Sequence, residues 1–244
     1  MSQFMDMIRL PNYGLGVAKG QFQNISSIHK FGAVPAMSQN QTGTIWDIND
    51  VTYPWSTWDT AGTVSIPAVN ASDNGKSVVL VGLDSDYVEL EETIVVSSSA
   101  AVTSTNSFKR LFRAYVTNGS TSNVGDISVQ KGGTNVARIK AGKAQTLMAV
   151  YTIPAGKIGY LTKGVCTCQA GADATGDMFV RYFGQESFRV GHSFEVSGSG
   201  GKYEYEFTAP VRIPEKSDID VRAKVRSNNA RITAAFDIIL DQDD

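Results

Sequence analysis

Near its C-terminus the chain alternates with a two-residue period, the signature of a half-buried β-strand. Ile219, Val221, Ala223 and Val225 are apolar, with Asp220, Arg222 and Lys224 between them. Ala230, Ile232, Ala234, Phe236, Ile238 and Leu240 carry the pattern on, with Arg231, Thr233 and Asp237 between. With Ser227-Asn228-Asn229 as the connection, this reads as a hairpin with one buried and one solvated face. Tyr203, Tyr205 and Phe207 alternate with Glu204 and Glu206 in the same way, as do Phe188, Val190, Phe194 and Val196.

Upstream the signals stay β. Val78–Val81 is a short apolar run, and Gly82-Leu83-Asp84-Ser85-Asp86 reads as a turn. Glu92–Val96 and Phe108–Val116 are rich in β-branched residues, and Asn118-Gly119 and Gly132-Gly133 are tight-turn sites. No stretch carries a 3.6-residue period. The expected fold class is all-β: an antiparallel β-sandwich of jelly-roll type with an irregular N-terminal arm. The polar stretch Asn118–Ser122 is the candidate boundary between two β domains. It divides the chain into an arm and aromatic loop (1–60), a small β domain (61–118) and a larger sandwich (119–244). One domain or two is left open.

The arm, Met1 to about Ser27, has Gly14, Gly16 and Gly20 and no sustained period. The next segment gathers Phe31, Trp46, Tyr53, Trp55 and Trp58, including all three tryptophans. Pro54 excludes Tyr53–Trp58 from a central strand. The rings suit local packing, an interface with a neighbouring subunit, where Trp and Tyr are enriched, or sugar binding. On the interface reading, alanine at Trp55 and Trp58 impairs assembly more than folding.

The chain offers little for catalysis. Only His29 and His192 are present; His192 is in phase with its apolar neighbours and reads as a hydrogen-bonded core or interface residue. No nucleophile elbow or phosphate-cradling loop precedes a helix. Asp84, Asp86, Glu91 and Glu92 form the densest acidic cluster and read as a solvated turn, with a hard cation as the functional alternative. Cys166 and Cys168 are too close in sequence for an unstrained bridge and read as partly buried thiols. A net charge of −2 and scattered Lys and Arg give no footprint for nucleic acid. No apolar run reaches the ~20 residues that span a bilayer, and no secretory signal opens the chain, so the expected site of synthesis is the cytosol. Charged residues are 19% of the chain, below the ~25% of ordinary globular proteins, as suits a subunit covered by neighbours.

Three blocks, His29-Lys30-Phe31-Gly32-Ala33-Val34-Pro35, Thr44-Ile45-Trp46-Asp47-Ile48-Asn49-Asp50 and Tyr53-Pro54-Trp55, resemble one found in structural proteins of marine tailed phages, including cyanophages. Further similar stretches are Val81–Asp84, Phe108–Arg110, Gln145–Gly156 and Pro214 to Phe236, so the resemblance covers almost everything after Ile28. It implies a virion structural protein and carries over no catalytic residue. The expectation is therefore a non-enzymatic assembly subunit without cofactor or metal. It would be located in the virion after assembly in the host cytoplasm. Its partners would be other virion proteins and itself, as a homo-oligomer, without nucleic acid or membrane insertion. Lack of fibre repeats and coiled-coil heptads favours a head-surface decoration or cement protein. The alternative is a tail, neck or fibre-attachment component that binds a host surface glycan. The interface candidates are Trp46, Tyr53, Trp55, Trp58 and Phe31.

Overall fold

The computed structural model describes residues 13–119, 122–198, 201–226 and 229–242. The start of the arm and Ser227-Asn228 of the Ser227–Asn229 connection lie outside them. A short helix, α1 (Tyr13–Ala18), leads into a long strand, β1 (Ile25–Met37). β1 begins just before the expected end of the arm near Ser27 and takes up the first part of the aromatic segment, whereas Tyr53–Trp58 lies outside any strand, as Pro54 requires. Pro35 falls where the ladder breaks, between Val34 and Met37. Gly32 is fixed by close approach: a Cβ there would lie 2.2 Å from Ile45 O and 2.4 Å from Ala149 N.

The body of the molecule is a sandwich of antiparallel sheets. One sheet has the order β1, β16 (Ala230–Asp241), β11 (Ile158–Cys168), β14 (Lys202–Ile213). The other has the order β10 (Val150–Thr152), β15 (Asp218–Val225), β12 (Ala174–Arg181), β13 (Arg189–Val196), and β2 (Thr42–Thr44) adds to β15 beside β10. Counted along the chain with β2 set aside, the first, last, third and sixth of these strands face the second, seventh, fourth and fifth.

This order corrects the C-terminal hairpin. β15 and β16 lie in different sheets, and each is paired on both sides by other strands. Their apolar faces meet across the sandwich, where Val221, Val225, Ile232, Phe236 and Ile238 are all buried. Likewise β13 and β14 belong to opposite sheets, each at an edge. The supposed turn at Gly82 is also displaced: Gly82 lies within β4 (Ser77–Leu83), and the turn follows, with Tyr87 at φ 67°.

Between β2 and β10 the chain leaves the sandwich and builds a second unit. One of its sheets is β5 (Glu89–Val95), β4, β7 (Arg110–Val116). The other is β6 (Val102–Thr103), β3 (Ser65–Ile66), β8 (Ile127–Lys131), β9 (Thr134–Ile139). The boundary near Asn118 is thereby corrected, because β8 pairs with β3 across it. The smaller unit is an insert in the sandwich, and β1 and β2 belong with the C-terminal strands. One contiguous apolar core runs through both units, from Leu80, Phe108 and Ile127 to Met148, Tyr151, Val221 and Phe236.

Candidate functional site

The segment that carries the chain from sandwich to insert is the aromatic one, and the structure turns its rings inward. Trp46, Tyr53, Trp55 and Trp58 are 1%, 3%, 6% and 0% exposed. Pro54 opens a 3-10 turn over Trp55–Trp58 that brings them together. Tyr53 meets Trp46 edge-on at 5.1 Å and Trp55 at 4.8 Å. Trp58 Nε1 donates to the Tyr53 hydroxyl (2.9 Å), which donates to Leu111 O in the insert (2.8 Å). These four are therefore core residues of the junction and present no face to a neighbouring subunit. Alanine at Trp55 and Trp58 strikes folding first, since a buried Trp→Ala change costs about 3–5 kcal/mol. Phe31 is half-buried on β1, its ring 5.7 Å from that of His29.

Beneath the rings lie two carboxylates of β15, Asp218 and Asp220, the second of which the alternation had assigned to solvent. Asp220 is fully buried and accepts from Thr44 Oγ1 (2.8 Å), Trp55 Nε1 (2.9 Å) and Arg222 Nε (2.7 Å). Burial raises its pKa, against the opposing pull of Arg222 and these hydrogen bonds. Asp218, 2% exposed, is held by two arginines. From the insert, Arg110 donates through Nε (2.8 Å) and Nη2 (2.9 Å); from β12, Arg181 donates through Nε (3.1 Å) and Nη2 (2.6 Å). Thr152 Oγ1 adds a fifth bond at 2.7 Å. Arg110 Nη1 also donates to Trp58 O (3.1 Å) and Lys109 O (2.8 Å). Nothing in the local pattern announces this network; the one signal is a charged residue, Arg110, heading an apolar strand.

A second polar feature sits where β1 meets the insert. A cavity of about 300 Å³ is lined by Lys30, Phe31, Glu89, Phe112, Arg113 and Tyr151 among others. Lys30 is 8% exposed and donates to Phe112 O at 2.5 Å. Burial, and then the Arg113 charge, lower its amine to about 7. The buried Tyr151 hydroxyl has no hydrogen-bond partner among the described residues.

A second group of rings lies at the open edge of the sandwich. β13 and β14 are the last strands of their sheets, and His192, Tyr203, Tyr205 and Phe207 close the gap between them. His192 Nε2 and the Tyr203 hydroxyl are 2.6 Å apart, and the Tyr205 and Phe207 rings lie 5.0 and 5.4 Å from the imidazole. Tyr205 is 44% exposed and Val190 54%. The expected apolar face of β13 is interrupted: the register shifts between Met178 and Phe179, opposite Gly191, and Val190 turns outward.

The remaining candidates are structural in their contacts. His29 Nδ1 pairs with Asp237 across β1 and β16 at 2.5 Å. Asp84 caps its own turn by accepting from the Asp86 and Val88 amides, both at 2.9 Å. Glu92 reaches the Thr105 and Asn106 amides instead (2.6 and 2.9 Å). Among the described residues no three His, Cys, Asp or Glu side chains converge on a metal position. Cys166 and Cys168 are buried free thiols; burial, and then its neighbour Cys168, push Cys166 up to about 12. No helix of the described residues is long and apolar enough to cross a membrane.

No family model matches this chain, and no curated protein matches it. Among solved structures it is similar to one of the infectious bursal disease virus Gx strain, at 9% identity over 89% of this chain and 75% of that one, with a TM-score of 0.22. It is also similar to the VP2 subviral particle of infectious bursal disease virus, at 7% identity over 90% and 77% of the two chains, with a TM-score of 0.20. Scores at this level carry no argument about fold or function.

Two measurements check the polar interior. Asp218→Asn removes the counter-charge of two arginines and is expected to lower the unfolding free energy by about 3–5 kcal/mol in urea titrations; a loss under about 1 kcal/mol is the behaviour of a solvated pair. Lys30 has a folded-state pKa near 7, below the ~10.4 of a free lysine. Its burial penalty is full below pH 7 and is relieved as pH rises from there to about 10.4, above which neither the folded nor the unfolded state holds the proton. Lys30→Met is therefore expected to stabilise the protein most below pH 7, with the gain shrinking toward pH 10. A gain independent of pH contradicts this.

Proposed function

We propose that this chain is a non-enzymatic structural subunit of a tailed-phage particle, seated on the head surface as a decoration or cement protein. The observation that carries the reading is the strand order of the sandwich: first, last, third and sixth strands facing second, seventh, fourth and fifth. That is the order of a jelly roll, an architecture common among viral capsid and lectin domains. The support is an analogy of fold, joined to the sequence resemblance to phage structural proteins. A body of this kind acts by presenting rigid surfaces to its neighbours. The surface best suited to contact is the β13–β14 edge, where among the described residues the strands have no outer neighbour and lie beside Val190 and Tyr205. Unpaired edges invite pairing with another chain, and subunits of this kind assemble with closed symmetry.

Quantitative mass spectrometry of purified particles tests the reading. The expected copy number is comparable to that of the major capsid protein. A small number moves the subunit to the neck, tail or fibre attachment, and absence from clean particles contradicts a virion role. Tyr205→Glu is expected to leave the isolated chain folded and to reduce its incorporation.

A further inference from the structure

Arg110 and Arg181 share one carboxylate, Asp218, so the charges of the buried cluster do not balance. Arg110 is 6% exposed, and the Arg181 side chain 17%. The cluster forms the floor of a pocket of about 170 Å³ between insert and sandwich. Two more cations stand in its wall. Lys109, next in sequence to Arg110, donates to Asp59 O at 2.6 Å. Lys216, on the turn before β15 at φ 59°, holds its amine 5.2 Å from the centre of the Phe183 ring and 3.9 Å from Glu215 Oε2. Four cations therefore line the pocket, against the carboxylates of Asp59 and Asp218.

Burial, and then the charge of Arg110, lower the Lys109 amine below the usual lysine range. The outer wall is the β12–β13 loop, with Phe183 60% exposed and edge-on to Tyr87 at 5.7 Å. Gly184 and Gln185 of this loop complete the mouth. A pocket this small, with surplus positive charge on its floor and lysines at its rim, suits an oxyanion. Charge-assisted hydrogen bonds to such a group are the strong ones.

We infer that the pocket bounded by Lys109, Arg110, Arg181 and Lys216 binds a single oxyanion group: sulfate, phosphate or carboxylate. Phe183 at the mouth offers a face on which the carrier of that group can rest. The inference does not depend on a virion role, and a negative result here leaves the copy-number test untouched.

The experiment is an NMR titration of the full chain with sodium sulfate, phosphate and acetate, at ionic strength held constant with chloride. Saturable shifts of the Gly184 and Gln185 amides are expected with at least one of the three. Lys109→Ala and Lys216→Ala are each expected to weaken binding about tenfold, as loss of one charge-assisted bond does. Lys216→Arg is expected to retain binding, and Lys157→Ala, outside the pocket, to leave it unchanged. A parallel titration with glucose 6-sulfate identifies the source. Tighter binding than inorganic sulfate assigns an anion carried on a sugar; equal binding assigns a free anion, and both uphold the site. No saturable shift with any probe overturns the proposal. So do equal shifts in the Lys109→Ala/Lys216→Ala double variant, which would mark the response as general screening.

Discussion

Two carboxylates on one face of β15 hold the architecture together. Asp218 and Asp220 sit where the strand passes beneath the aromatic segment and the insert, and neither is solvated. A carboxylate taken out of water costs several kcal/mol unless its hydrogen-bonding capacity is filled. Here it is filled from several parts of the chain: Arg110 from the insert, Arg181 from β12, Thr44 from β2, Thr152 from β10, Trp55 from the linking segment and Arg222 from β15 itself. Such a network is weak evidence of high net stability, because hydrophobic replacements can do as well. Its effect is orientation. The carboxylates are satisfied only when insert and sandwich meet in this register.

The same network links fold to function. An insert carried on flexible linkers would present two mobile surfaces. This one enters through a 3-10 turn of buried rings, and its return is tied by Leu147 N to Asp47 Oδ2 at 2.7 Å. Insert and sandwich therefore form one packed body, with β13 and β14 at the ends of its two larger sheets. The surplus charge that two arginines leave around Asp218 becomes the floor of the pocket between the units.

The alternation of β15 and β16 told which side chains point inward, and the structure agrees for Ile219 to Val225 and Ala230 to Leu240. It did not tell which strands pair, because a two-residue period fixes the face and is silent on the partner. A short polar connection suggested a hairpin; the two strands instead stack face to face from opposite sheets. The period also misleads where a second layer covers the outer face, as at Asp220, and where a bulge shifts the phase, as at Val190. β1 was hidden because its buried and exposed positions do not alternate and Pro35 interrupts it. The tryptophans left packing, interface and sugar binding open, and their burial selects packing: a dense group of large rings in a short irregular segment plugs the join of two β units. The inserted unit was illegible, since nothing in a single sequence shows that β1 and β2 pair with strands beyond residue 200.

The central claim is that insert and sandwich are one body, locked through Asp218, Asp220 and the rings above them. Differential scanning calorimetry of the intact chain tests it most directly. The account predicts one transition whose calorimetric and van't Hoff enthalpies agree. Two resolved transitions, or a calorimetric enthalpy well above the van't Hoff value with the insert melting by itself, would contradict it.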